Sequence, residues 1–157
     1  MWRKSLLTAV LMLCSVVLCM GQGTLDFVRA DADGTITVRV SGLGKNKAAA
    51  KEQAQKNAVR AAIFQGIKVP GKASLSRPLI YEVNAEEKYE DFFYAFFQDG
   101  GKYADFVSYE DRKAYSDKKE KKGSLVEVRT TLTILRPALK QYLIEQHIIA
   151  VSYTHLR

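Results

Sequence analysis

Cysteine is almost missing from this chain. Its two cysteines, Cys14 and Cys19, both fall in the first 21 residues. If that segment is removed, the rest can form no intramolecular disulfide. Histidine is equally scarce, with only His147 and His155. A cysteine- or histidine-rich metal centre is therefore excluded. Proline occurs three times and tryptophan once. There is no internal repeat and no low-complexity linker. What remains is an ordinary globular balance, 47% hydrophobic and 26% charged residues, which argues against disorder. At 157 residues the chain has room for one domain. Lys plus Arg number 24 against 17 Asp plus Glu, a formal charge of +7.

The two ends read as lying outside the fold. Arg3 and Lys4 precede an apolar run from Leu6 to Leu18, interrupted only by Thr8, Cys14 and Ser15. That run is too short to span a hydrocarbon core needing about 20 apolar residues, and it has the form of a secretory leader. Cleavage after Gly21 would leave Gln22 first and lower the charge from +7 to +5, because Arg3 and Lys4 are its only charged residues. Lipidation of a leader cysteine usually needs a small residue before it, and Leu13 and Leu18 stand there instead. The last seven residues, Val151 to Arg157, resemble translated sequencing-adaptor sequence. They are set aside as a non-native tail, with His155 among them. The expected division is a signal peptide over 1–21, one domain over 22–150 and the tail over 151–157.

Between those ends the hydrophobic periods switch. Ile36, Val38 and Val40 alternate with Thr35, Thr37, Arg39 and Ser41, the pattern of a half-buried strand. Asp31-Ala-Asp-Gly34 predicts a turn back to a less regular strand over Leu25–Ala30. Gly42-Leu-Gly44 is expected to end the strand. An alanine-rich helix then runs from about Lys45 to Gln65, with Ala50, Ala54, Ala58 and Ala62 on one stripe. Lys51, Glu52, Gln55 and Lys56 are expected to face water, and Gly66 to stop the helix. Residues 69–78 read as loop.

Asn84 and Glu87 have the spacing of a capping box before an aromatic helix carrying Tyr89, Phe92, Phe93, Phe96 and Phe97. Gly100-Gly101 closes it. Residues 106–118 predict a long polar strand, weakened by Asp111-Arg-Lys113. Lys118-Lys-Glu-Lys-Lys-Gly123 predicts a charged hairpin tip. Val126, Val128, Thr130, Leu132 and Ile134 then alternate with Glu127, Arg129, Thr131 and Thr133. Pro137 suits the first turn of a closing helix.

The motifs are weak as chemistry. Gly42-Leu-Gly44 lacks the third glycine of a dinucleotide fingerprint, since Lys47 stands there. Asp31-Ala-Asp-Gly34 opens like a calcium loop, but residues 38–44 contain no acid to complete it. His147 has no recognisable serine or cysteine nucleophile to serve. The aromatic stripe is expected to be core, with Tyr94 off the stripe and exposed. Lys118, Lys119, Lys121 and Lys122 form the one basic run; with Tyr94 they are the candidate interaction surface.

The residues 36–44 (Ile-Thr-Val-Arg-Val-Ser-Gly-Leu-Gly), 50–54 (Ala-Lys-Glu-Gln-Ala) with Ala58, and 126–134 (Val-Glu-Val-Arg-Thr-Thr-Leu-Thr-Ile) carry a resemblance. In their order they resemble bacterial envelope domains, among them the N-terminal domain of flagellar assembly protein T and related small lipoproteins. Residues 22–149 also look like uncharacterised secreted proteins of Bacteroidales type. The resemblance implies an envelope accessory protein and brings no catalytic residue with it.

The expected fold is α+β. It is a two-layer sandwich of three or four antiparallel strands with about three helices, the alanine-rich and last helices on one face. The expected function is an exported, non-enzymatic accessory protein of the periplasm or cell surface with a binding or assembly role. The alternative is a periplasmic small-ligand-binding protein with an aromatic-lined pocket. No catalytic residue, cofactor or metal is assigned. The partner expected is an envelope protein or an anionic envelope polymer, not nucleic acid, with membrane contact peripheral at most.

Overall fold

The two alternating segments lie side by side. The computed structural model describes residues 24–109 and 117–150. In it β2 (Ile36–Gly44) and β5 (Leu125–Ile134) pair antiparallel along their length, from Ile36 opposite Ile134 to Gly44 opposite Val126. Their shared register places Ile36, Val38, Val40, Val128, Leu132 and Ile134 on one side of the sheet, all fully buried. β1 (Leu25–Ala30) flanks β2 across the predicted turn. A register shift between Phe27 and Arg29 keeps Leu25, Phe27 and Ala30 opposite the inward residues of β2. The turn is built as read: Gly34 donates to the Asp31 carbonyl, and the Asp33 carboxylate accepts from the Thr35 amide at 2.9 Å and hydroxyl at 2.8 Å.

The far side of β5 is shared by two short strands, β3 (Val107–Tyr109) near its end and β4 (Lys118–Lys122) near its start. The described sheet thus has five antiparallel strands in the order β1-β2-β5, then β3 and β4. The α+β class holds, with more strands than expected. The lysine run is not the hairpin tip: it is β4 itself, paired from Lys118 opposite Arg129 to Lys122 opposite Leu125, and Gly123-Ser124 make the turn. Asp111-Arg-Lys113, the leader with Cys14 and Cys19, and the tail with His155 lie outside the described residues.

α1 (Lys47–Arg60) crosses the inward face of β2 and β5, as its alanine stripe requires. Asn46 caps it, its side-chain oxygen accepting from the Ala49 amide at 2.9 Å. Ala50, Ala54 and Ala58 are fully buried. β2 ends at Gly44, so Gly42 and Gly44 are its last stretch, paired in the sheet beneath the helix. A Cβ on Gly42 would sit 2.2 Å from the Ala50 carbonyl oxygen and 2.4 Å from the Ala54 nitrogen, and one on Gly44 2.4 Å from the Ala50 nitrogen. The glycines let backbone approach backbone.

From Ala61 to Gln65 the helix widens into a π-turn that stops at Gly66, whose φ is +81°. The Ala62 and Ile63 carbonyls accept from the Leu79 and Ile80 amides of the returning chain. The loop over 69–78 contains a short α2 (Ala73–Ser76).

The aromatic segment is two helices, α3 (Ala85–Lys88) and α4 (Glu90–Phe96), broken at Tyr89. Asn84 precedes α3 in a left-handed conformation, φ 62°, and its side chain caps nothing. The capping box therefore does not form. A 3-10 turn (Lys102–Phe106) leads into β3, and α5 (Arg136–Glu145) has Pro137 in its first turn. Phe93, Phe96 and Phe97 are buried as expected. Phe96 lies against Phe106 and Tyr142, and Phe93 against Phe64 of the π-turn. These rings join the sheet residues in one continuous core.

Candidate functional site

One flank of α1 carries Lys47 and Lys51, one turn apart, and beside them Glu52, Lys56 and Arg60, again one turn apart. The helix is amphipathic toward the sheet through alanine, so this flank read as solvated. Instead it meets the returning chain. Lys51 pairs with Asp117 at 2.5 Å and lies 4.8 Å from the ring centre of Tyr109. Lys56 lies 5.5 Å from the Tyr103 ring and pairs with Asp99. The Arg60 guanidinium lies 4.7 Å from the Phe97 ring and pairs with Glu86. Lys51, Lys56 and Arg60 are thus each held between a ring and a carboxylate.

Glu52 is the acid in this row. It accepts from the Tyr103 hydroxyl at 2.8 Å and the Gly100 amide at 2.7 Å. Burial pushes the Tyr103 phenol well above its ordinary range, and the neighbouring Glu52 carboxylate adds to that. Asp117 sits where β4 begins. Burial resists its ionisation, but hydrogen bonds from Lys51 and Thr130 and the charge of Lys47 outweigh that, so its carboxyl is held below the ordinary value. The sequence signal for this flank was the spacing of the cations along α1; their ring partners come from residues 97–109.

The candidate lysines form an exposed ribbon. All five residues of β4 are exposed. By register Lys118, Glu120 and Lys122 lie on the side of Arg129 and Glu127, where Lys122 pairs with Glu127 at 2.6 Å. Lys119 and Lys121 stand opposite Val128 and Val126, on the side of the sheet that α1 covers. Neither makes an ion pair among the described residues. Tyr94 is not near them in the fold. It lies on α4 with its side chain largely free, 72% exposed. The structure therefore divides the candidate surface into two places.

Tyr94 stands at the rim of an open cleft of about 600 Å³ between α1 and α4. Its lining brings the rings of Phe93 and Phe97 together with Lys56 and Arg60 of α1 and with Glu86, Glu90 and Asp99. Of the neighbouring rings, Phe93 lines this cleft, while Tyr103 is buried and half-buried Tyr89 is not part of the lining.

His147 is exposed beyond α5 in a left-handed conformation, φ 59°, and its amide donates to the Ile144 carbonyl. No group of three or more His, Cys, Asp or Glu able to hold a metal ion occurs among the described residues. No described helix is long and apolar enough to cross a membrane. Comparison with known proteins finds no matching family model, no matching curated protein and no matching solved structure.

Proposed function

We propose that this protein is an exported, non-enzymatic accessory protein of the cell envelope that binds an anionic envelope polymer through the β4–β5 hairpin. One observation carries the reading: all five residues of a strand of four lysines and one glutamate are exposed at the side of the sheet, and of its four lysines Lys122 alone makes an ion pair among the described residues. An extended ribbon places like charges at the repeat of a strand, which suits a linear polyanion better than a compact ligand. The leader-like first 21 residues and the resemblance to envelope accessory domains support the location. Export also argues against nucleic acid as the polyanion.

The test is a variant with Lys118, Lys119, Lys121 and Lys122 changed to glutamine. Its melting temperature is expected to stay near that of the parent, since exposed charges contribute little to stability. Retention on an acidic polysaccharide column is expected to fall, most clearly at low salt, because exposed charge is screened over about 10 Å at 0.1 M. Vesicles bearing anionic lipid serve as the comparison surface. Equal retention of parent and variant would overturn the reading.

A further inference from the structure

β1 leaves one edge of the sheet open. Among the described residues it pairs with β2, and no strand lies along its other side. The hydrogen bonds at its two ends show which groups that edge presents. The Ser41 amide donates to the Thr24 carbonyl, so residue 24 faces β2; by alternation the N–H and C=O of Leu25 and Phe27 point to the open edge. At the far end the Asp31 amide donates to the Thr35 carbonyl, so Ala30 again points to the open edge. Val28 is the extra residue of the bulge between them.

This edge carries little to keep a partner away. β4 is lysine at four of its five positions, whereas β1 has no lysine or proline, and its charges are one of each sign, Asp26 and Arg29. Leu25, Phe27, Val28 and Ala30 are half-buried, since α1 lies over β2 and β5 rather than over β1. We propose that β1 is a homodimer interface, at which two copies of this chain pair edge to edge and antiparallel to make one continuous sheet. The edge is separated from the lysine ribbon by β2 and β5, so its failure as an interface would leave the polyanion reading untouched.

The strand's own sequence selects the second copy. Leu-Asp-Phe-Val-Arg-Ala, paired antiparallel with itself about a twofold axis between Phe27 and Val28, matches at every position. Leu25 meets Ala30 of the second copy, Phe27 meets Val28, and Asp26 meets Arg29. Leu25 and Ala30 both point backbone groups at the edge, so that pair can exchange two hydrogen bonds. Asp26 and Arg29 turn theirs the other way and form the close pair without backbone bonds, where facing charges interact most. An axis placed at Asp26 or at Arg29 instead would set like charges face to face.

The bulge makes this register possible. In a regular strand, residues 26 and 29 would stand on opposite sides of the sheet. Here Asp26 lies opposite Arg39 and Arg29 opposite Thr37, so both stand on the side away from α1. A bulge usually bends an edge strand away from partners. On the axis it bends both copies at the same point. The new pairs also join ones already present, Asp26 with Arg129 and Arg29 with Asp31 at 3.3 Å. The row Arg129, Asp26, then Arg29 and Asp31 of the second copy alternates in sign. Six residues a side bury less than the roughly 1,200 Å² at which stable interfaces begin, so the dimer is expected to be weak and concentration-dependent.

The experiment is sedimentation equilibrium between micromolar and millimolar concentration, on protein expressed from the full chain and purified as the cell processes it. The expected result is a reversible monomer–dimer equilibrium, with hydrogen exchange at the Leu25 and Ala30 amides slowing as the dimer fills. Asp26→Arg and Arg29→Asp each put two like-charge pairs across the axis, and each is expected to weaken the dimer at least about tenfold. Mixed one to one, the two variants should associate about as tightly as the parent, because every arginine at these positions then meets an aspartate. Leu25→Pro removes an edge donor without removing a bond to β2, and should also weaken the dimer; it decides the matter if a charge variant does not fold by circular dichroism. The proposal is overturned if the protein stays monomeric across the range, or if the folded variants dimerise as the parent does. It is also overturned if mixing the charge variants restores nothing, or if a dimer forms while exchange at Leu25 and Ala30 is unchanged.

Discussion

At Gly42 one methyl group decides whether α1 can lie on the sheet. The added Cβ would meet main-chain atoms of Ala50 and Ala54 at 2.2 and 2.4 Å, and main chain cannot swing aside as a flexible side chain can. Either the helix lifts or the strand bends, and both open the alanine interface. Gly42→Ala is expected to cost about 3 kcal/mol, the upper part of the usual range for overpacking. A urea unfolding curve reads this as a lower midpoint at unchanged slope. A midpoint equal to the parent's would mean that α1 does not rest on β2 as described. The glycine pair stood out in the sequence, but its meaning did not. A turn and a close approach both call for glycine, and only the helix overhead distinguishes them.

At the scale of elements, what was legible had an internal period and what was not depended on a partner elsewhere. β2 and β5 each alternate over many residues, and α1 repeats alanine at helical spacing, so each announces itself alone. β4 has no apolar residue to alternate; Lys-Lys-Glu-Lys-Lys is a strand only because the backbone of residues 125–129 pairs with it. An edge of lysines also discourages pairing with another chain, so the charge that suits a polyanion equally protects the strand. The aromatic spacing was read correctly as core, but Tyr89 interrupts it, and a left-handed Asn84 replaced the cap. The Lys56–Arg60 wall was missed for the same reason as β4: its rings and carboxylates arrive from residues 86–103.

Asp117 ties two of these elements together, joining the start of β4 to α1 through Lys51 and to β5 through Thr130. Its carboxyl is held below the ordinary value of 3.8 in the folded protein. A group depressed by folding stabilises the fold above its unfolded value and loses that contribution as pH falls through the folded one. The parent should therefore melt higher than Asp117→Asn at neutral pH. The gap should narrow as the pH falls below about 4. A melting difference that stays constant down to the most acid conditions would remove the charge from this account.

At the scale of the whole molecule, the sheet layer and the aromatic helices form one core rather than two. Phe96 is where this can be tested. It is buried and meets Phe92 and Phe93 on its own helix, Phe97 just after it, Phe106 at the end of the 3-10 turn and Tyr142 on α5. The same cluster continues through Ile63 and Leu139 to Ile36 and Ile134 of the sheet. Phe96→Ala leaves a cavity where α4, the 3-10 turn and α5 converge, at an expected cost of about 3–5 kcal/mol. Against a total of about 5–15 kcal/mol for a domain, that is a large share. If the core is continuous, the loss lowers the stability of the whole chain. Far-ultraviolet dichroism, which follows helices and strands, and near-ultraviolet dichroism, which follows the packed rings, should then shift together and remain coincident. If the near-ultraviolet signal were lost first while the far-ultraviolet transition kept its parental midpoint, the aromatic helices would be a separately folding layer. The cleft, whose walls come from α1 and α4, would then open before the sheet does.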